Sequence, residues 1–152
     1  MSKKQSAETA FDLEEFLPFR LHQASEAVSQ SFRTIYRSDY GMTRTEWRVF
    51  AQLGQYGAMT ATDVGISANL HKTKVSRAVF ALEKRRWLKR QQDASDRRSH
   101  ILHLTDAGQK AYQELGQRGL DYNHSMSERL GKSQFDEVLR LTADLEKAVR
   151  DL

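Results

Sequence analysis

Apolar side chains recur at steps of three and four between residues 71 and 86, and this spacing predicts a helix with one buried stripe. The stripe contains Val75, Ala78, Val79 and Leu82. The positions off the stripe are basic or carry a hydroxyl group, and they are Lys72, Thr73, Ser76, Arg77 and Lys84. One face of the predicted helix is therefore free to contact another molecule.

A two-stranded ribbon is predicted directly after this helix. A short strand starts near Trp87, residues 93–98 form a polar turn rich in Asp, Ser and Arg, and apolar and β-favouring residues return at 99–104. A helix followed by a ribbon with an arginine-tipped turn can reach a major groove and a neighbouring minor groove of DNA together. Binding of double-stranded DNA is therefore our first functional hypothesis.

A long helix is predicted before this unit, from about Asp12 to Asp39, and Gly41 should end it. Pro18 lies inside this stretch, so the helix either begins near Pro18 or kinks there.

Two shorter helices follow, each opened by a capping sequence. Residues 43–46 (Thr-Arg-Thr-Glu) precede an apolar face, and residues 60–63 (Thr-Ala-Thr-Asp) open a helix to about Ser67. A tight turn at 69–71 then leads into the basic helix.

Two more helices are predicted after the ribbon. Thr105 should cap one that runs from Asp106 to Leu130, although Gly108, Gly116 and Gly119 and the sparse apolar positions weaken it. Ser133 should cap a final helix to about Arg150. The apolar seam of this final helix is narrow enough for a partner helix, and it consists of Val138, Leu141, Leu145, Ala148 and Leu152.

This order of elements predicts a mainly α (α+β) fold, a winged helix-turn-helix flanked by N- and C-terminal dimerisation helices. Residues 1–10 should be a mobile tail, 43–106 the winged helix-turn-helix module, and 11–40 with 107–152 the helical dimerisation region. The long helices either pack on one another within one chain or pair with a second copy. We favour a homodimer, because a two-fold axis would present two basic helices to two half-sites.

Charge is concentrated in the same part of the chain. Residues 71–98 contain 10 lysines and arginines and 3 acids, a net charge of +7, whereas the whole chain carries +4. A basic window in an otherwise acidic chain is typical of a phosphate-binding surface. A solvated helix face beside a charged hairpin would give the same count, so charge alone leaves both interpretations open.

Several other chemistries find little support. The chain has no cysteine, no Gly-rich phosphate loop and no recognisable nucleophile context, so we expect neither enzymatic activity nor a cofactor. His100 and His103 lie on opposite faces of a predicted strand without an acidic cluster, so no metal site is expected. No apolar run is long enough to span a membrane, and we expect a cytoplasmic protein.

Three segments together carry a more specific pattern: TRTEWRV at 43–49, KVSRAVFALEKR at 74–85, and DASDRRSHILHLTDAG at 93–108. Their combination and spacing resemble the MarR family of transcriptional regulators. The resemblance implies a homodimer that binds a pseudo-palindromic operator through winged helix-turn-helix modules. It also implies repression that is relieved by a small ligand, often an aromatic or phenolic acid or its thioester.

The resemblance assigns roles to particular residues. The groove-facing part of the family's recognition helix corresponds to Lys72, Thr73, Lys74, Ser76 and Arg77. Arg98 corresponds to the wing arginine that enters the minor groove, Asp96 to the acid that orients it, and Arg97 to a phosphate or groove contact. Because Asp96 lies two residues before Arg98, we expect its carboxylate to contact the Arg98 guanidinium directly.

Three positions depart from the family's usual residues. Gly65 replaces Ala, and Ser95 replaces an Arg or acid at the wing tip. Arg86 replaces Gly at a helix end that favours a left-handed residue, which would cost about 1 kcal/mol.

A ligand pocket is the least specified part of the prediction. Its candidate residues are Phe16, Phe19, Arg20, Trp47 and Arg48. The aromatic residues could equally be ordinary core, and the arginines could be surface ion pairs instead of anchors for a carboxylate. A winged helix that binds only proteins and responds to no ligand is the alternative function, and the basic face argues against it.

Overall fold

The structure is a computed structural model that describes residues 10–150. Except for Ala10, the predicted tail lies outside the described residues, as does Leu152. The helices are α1 (Leu17–Thr34), α2 (Arg44–Tyr56), α3 (Ala61–Ala68), α4 (Lys72–Lys84), α5 (Asp106–Leu130) and α6 (Lys132–Arg150). The strands are β1 (Met59–Thr60), β2 (Leu88–Gln92) and β3 (His100–Leu104).

The first long helix begins at Leu17, so Pro18 lies in its first turn and does not kink it. Leu17 and Pro18 form the start of α1, where the missing N–H of proline is harmless. Residues Leu13–Glu15 form a separate turn of 3₁₀ helix, capped by the carboxylate of Asp12. Beyond Thr34 the chain continues as one π-helical segment, Ile35–Asp39, and Gly41 then adopts a φ of +63°. The C-terminal stop that was predicted at Gly41 is therefore confirmed.

Threonine caps open three of the central helices. Thr43 and Glu46 form the reciprocal capping box at the start of α2. The hydroxyl of Thr60 accepts a hydrogen bond from Asp63 N–H, and that of Thr105 accepts one from Gly108 N–H. These caps were predicted, and they fix where α2, α3 and α5 begin.

The sheet is antiparallel, with strand order β1-β3-β2. Leu88 pairs with Leu104 and Gln92 pairs with His100, so β2 and β3 form the predicted ribbon around the 93–98 turn. β1 was not predicted, since two residues are too short for a strand pattern. Its pairing with β3 ties the ribbon to the start of α3.

The core lies between α2, α3, α4 and the sheet, and it includes the whole predicted stripe of α4. Helix α5 contacts this core where its Tyr112 ring packs on Gly54 of α2; a Cβ added to Gly54 would lie 2.3 Å from that ring. A glycine at this position lets α2 and α5 approach closely.

The junction between α4 and the ribbon is strained at one residue. Arg86 has a φ of +61°, as expected for a position that usually holds glycine. Its N–H donates to the Glu83 carbonyl, and its carbonyl accepts from the Thr105 hydroxyl. The next residue, Trp87, places its carbonyl against Gly108, where an added Cβ would lie 2.1 Å from that oxygen.

The outer helices α1 and α6 contain no buried residue within this chain. Helix α6 starts at Lys132, and Phe135 N–H donates to the Gly131 carbonyl, so the prediction that Ser133 caps this helix is wrong. Gly131, with a φ of +89°, lets the chain turn at once from α5 into α6. Among residues 10–150, no helix combines the length and apolar character needed to cross a bilayer.

Candidate nucleic-acid interface and ligand cavity

The side of α4 that faces away from the core carries all of the predicted groove residues. These five side chains are exposed, and they are Lys72, Thr73, Lys74, Ser76 and Arg77. They lie in the first half of the helix, whose N-terminus carries a partial positive charge. The helix therefore offers cations and hydroxyl donors to an anionic partner, while its opposite stripe is fixed in the core.

The wing turn is held by its own hydrogen bonds. The Asp93 carboxylate accepts from the backbone N–H and the hydroxyl of Ser95, and these two bonds lower the pKa of Asp93. The side-chain amide of Gln92 donates to the Arg97 carbonyl at 2.8 Å. Ser95, which departs from the family pattern, thus stabilises the turn.

Asp96 contacts the backbone of Arg98 and not its guanidinium. The carboxylate accepts from Arg98 N–H at 2.9 Å, and Ser99 N–H donates to the Asp96 carbonyl at the same distance. In the described part of the chain, no ion pair joins Asp96 to Arg98, so the expectation of a direct carboxylate–guanidinium contact is corrected. Two residues of separation favour this tight backbone turn instead. Asp96 orients Arg98 by fixing its main chain.

A cleft of 770 Å³ lies between the α3–α4 unit and the wing. Lys72 and Ser76 line it from α4, and Arg98 lines it from the wing. Thr73, Lys74 and Arg77 lie outside the cleft, as does Arg97.

Sequence reasoning missed Arg90, which also lines the cleft. Its guanidinium forms an ion pair with the Glu83 carboxylate at 2.9 Å.

A second cavity, of 680 Å³, lies between α1, α2 and α5. Four aromatic side chains line it: Phe32, Tyr36, Trp47 and Tyr122. The Tyr36 and Trp47 rings stack with centroids 6.0 Å apart, and Phe32 packs against Tyr122 at 5.3 Å. The walls therefore suit a flat apolar ligand.

Both arginines that line this cavity have a partner within the chain. Arg44 binds Glu26 at 2.6 Å, and this hydrogen bond raises the pKa of Arg44 and lowers that of Glu26. Tyr36 contributes a smaller increase in the pKa of Arg44, although its buried hydroxyl lacks a well-aligned partner among the described residues. Arg48 donates to the carbonyl of Ala68, at the C-terminal end of α3.

The structure brings together only part of the predicted ligand set. Trp47 and Arg48 line the cavity, whereas Phe16, Phe19 and Arg20 do not. Phe16 lies in the first turns of the chain, edge-on to Phe11, and Arg20 forms an exposed ion pair with Glu14. Five lining residues with an aromatic or charged side chain were missed by sequence reasoning: Glu26, Phe32, Tyr36, Arg44 and Tyr122. The spacing of four between Phe32 and Tyr36 is the one signal that pointed to a shared aromatic face.

The structure places the two candidate metal-binding histidines, His100 and His103, on β3. His100 is exposed beside the cleft, and His103 is half-buried. Across residues 10–150, no set of three or more histidines and carboxylates is placed to hold a metal ion.

Comparison with known proteins gives consistent matches. The MarR family model matches residues 42–100, which cover α2, α3, α4 and the wing. The HTH-type transcriptional regulator FarR of Neisseria gonorrhoeae is 28% identical over 127 residues, which cover 84% of this chain and 86% of FarR.

Two solved structures are similar over nearly their full length. NadR in complex with 4-hydroxyphenylacetate is 26% identical, with a TM-score of 0.79 over 90% of this chain and 98% of NadR. The transcriptional repressor CouR bound to a 23-mer DNA duplex is 25% identical, with a TM-score of 0.78 over 95% of this chain and 99% of CouR.

Proposed function

Since the chain belongs to the MarR family of winged helix-turn-helix, DNA-binding transcriptional regulators, we propose that it is a homodimeric repressor. In this proposal it binds a pseudo-palindromic operator and releases it when a small aromatic acid occupies the α1–α2–α5 cavity. The observation that carries the proposal is the pairing of this cavity with an exposed basic α4 in one compact chain.

DNA contacts are proposed for both the recognition helix and the wing. The exposed residues of α4 enter the major groove, where Arg77 can form a bidentate contact with guanine. Arg98 enters the adjacent minor groove, which attracts arginine most strongly in narrow A·T-rich segments. Arg97 and Lys74, which lie outside the cleft, contact phosphates.

The homodimer is proposed to form through residues 11–40 and 107–152, while 43–106 form the reading head. Apolar side chains on α6 remain exposed, including Val138 at 50%, Leu139 at 53% and Leu141 at 45%. Exposed apolar seams of this extent favour burial against a second copy. The dimer also places two α4 helices on two successive half-sites.

The ligand is proposed to be an aromatic carboxylic acid. Aromatic rings in the cavity fit a flat ring, and Arg44 and Arg48 supply cations for a carboxylate. NadR, the relative crystallised with 4-hydroxyphenylacetate, makes phenolic acids the first compounds to test. Glu26 already neutralises Arg44, whereas the partner of Arg48 is an uncharged backbone carbonyl. A ligand carboxylate can displace this carbonyl more readily than it can displace Glu26, so Arg48 is the proposed anchor.

Arg48 supplies a route from the cavity to the reading head. Arg48 lines the cavity, and its guanidinium holds the Ala68 carbonyl, one residue before the left-handed Asn69 that starts the turn into α4. A carboxylate that captures Arg48 removes this restraint and favours a different orientation of α4. Coupling of this kind typically amounts to about 1–3 kcal/mol, or roughly a 5–150-fold loss of DNA affinity.

Titration with phenolic and benzoic acids tests the proposal. Binding should quench Trp47 fluorescence, and Trp47→Phe, which retains Trp87, should lose the signal. The same acids should weaken operator binding in fluorescence anisotropy, and Arg48→Met should abolish the effect while still binding DNA. If no acid or thioester from the panel changes operator affinity, the ligand-release part of the proposal fails.

A further inference from the structure

One large apolar side chain stands on the exposed side of α4, among its polar and basic residues. Phe80 is 66% exposed, whereas its apolar neighbours Val79 and Leu82 are 2% and 0% exposed. The ring is absent from the hydrophobic core and from every aromatic pair in the described chain. Within this chain, folding leaves the ring largely in contact with solvent.

The position of Phe80 on the helix gives this exposure a direction. Successive residues of an α-helix are separated by about 100°, so Phe80 lies about 20° from Thr73 and about 160° from buried Leu82. Ser76 and Arg77 flank it at about 40° and 60°. Phe80 thus occupies the centre of the face that carries the proposed DNA contacts.

Its height along the helix is also compatible with the groove. With a rise of 1.5 Å per residue, Phe80 lies about 4.5 Å beyond Arg77, which is less than one turn from a proposed groove contact. Arg77 and Lys84, which precede and follow Phe80 on this face, are both exposed cations. This charge favours DNA over an apolar protein surface as the occupant.

We propose that Phe80 is a specificity-determining residue that packs against the C5-methyl group of a thymine in each half-site. The inference rests on the proposed DNA-binding function and extends it to a named base. A phenyl ring cannot hydrogen-bond to base edges, and the thymine methyl is the apolar group that the major groove presents. The contact would distinguish T·A from C·G without any new hydrogen bond.

The test compares methylated and unmethylated bases. The full-length protein selects its operator from a random duplex pool, and each thymine of one half-site is then replaced singly by deoxyuridine, which removes only the C5-methyl. At one thymine, wild-type affinity should fall about fourfold, the effect of exposing one buried methyl. Phe80→Ala should bind the thymine and deoxyuridine duplexes equally, and Phe80→Leu should retain part of the difference.

Tyr56→Ala is the matched control, because Tyr56 is 67% exposed but lies on α2 and lines neither cavity. It should keep the full thymine preference. An equal loss for every deoxyuridine duplex in wild type and Phe80→Ala would overturn the role of Phe80, while operator binding itself would still support the proposed function. Failure of the wild type to select any sequence would instead count against the proposed function.

Discussion

Replacement of Arg86 by glycine should stabilise the protein. Arg86 holds a φ of +61°, where a side chain with a Cβ is strained. Both backbone hydrogen bonds of this residue, to Glu83 and from Thr105, involve main-chain atoms that glycine also has. The left-handed conformation costs a non-glycine residue about 1–2 kcal/mol. Glycine also makes the unfolded chain more flexible, and this effect lowers the free energy of unfolding by about 0.5–1 kcal/mol.

The net gain for Arg86→Gly is therefore about 0.7 kcal/mol, the difference between the midpoints of these two ranges, which corresponds to a rise in Tm of about 1.5–3 °C for a chain of this size. Urea titration at a fixed protein concentration measures it, because a change of oligomer population would otherwise alter the apparent stability.

Arg86→Ala is the decisive control for this prediction. It removes the same guanidinium but keeps the Cβ, so it should gain no stability. Arg86→Asn should fall between the two, since asparagine tolerates the left-handed region. Equal stabilisation by alanine and glycine would refute the backbone argument and assign the effect to charge at the end of α4.

Three further predictions concern packing, assembly and the wing. Gly108→Ala should lower the free energy of unfolding by about 1–3 kcal/mol in urea titration, because its Cβ would collide with the Trp87 carbonyl. Gly116→Ala is the control and should not destabilise α5, because a Cβ added at Gly116 would meet no neighbouring atom within 4 Å. The double variant Leu141→Asp, Leu145→Asp should be monomeric by light scattering, and a fully dimeric variant would exclude the α6 seam from the interface. Asp96→Ala should weaken operator binding in anisotropy at moderate salt even though it removes a negative charge, and Asp96→Asn, which can still accept the wing N–H bond, should not. Tighter binding by the alanine variant would mean that the acid only repels phosphate.

The helices of this chain could be predicted because their signals are local. Caps such as Thr43 and Thr105 and the apolar stripe of α4 depend on neighbours three or four residues away. β1 could not be predicted, since its two residues form a strand only through pairing with β3. The error at Ser133 arose because Gly131 already supplies the turn between α5 and α6.

The α1–α2–α5 cavity was only partly predictable, because it depends on contacts distant in sequence. The aromatic character of Trp47 was a useful signal, but nothing local indicated that Tyr36 would stack on it. Gly116 and Gly119 were interpreted as weak points of α5, whereas both line this cavity. At Gly119 an added Cβ would meet the Phe32 ring at 4.0 Å, so the absence of a side chain there leaves space in the cavity.

The central claim is that α4 recognises DNA sequence-specifically. Fluorescence anisotropy tests it most directly, by comparing the affinities for operator and scrambled DNA at two salt concentrations. The selected operator should bind about 10³-fold or more tightly than a scrambled duplex of the same composition. Arg77→Ala should weaken operator binding by about 1–3 kcal/mol and leave the scrambled duplex nearly unaffected. Equal affinity of the wild type for both duplexes would contradict the account, and an equal loss on both by Arg77→Ala would make Arg77 a phosphate contact.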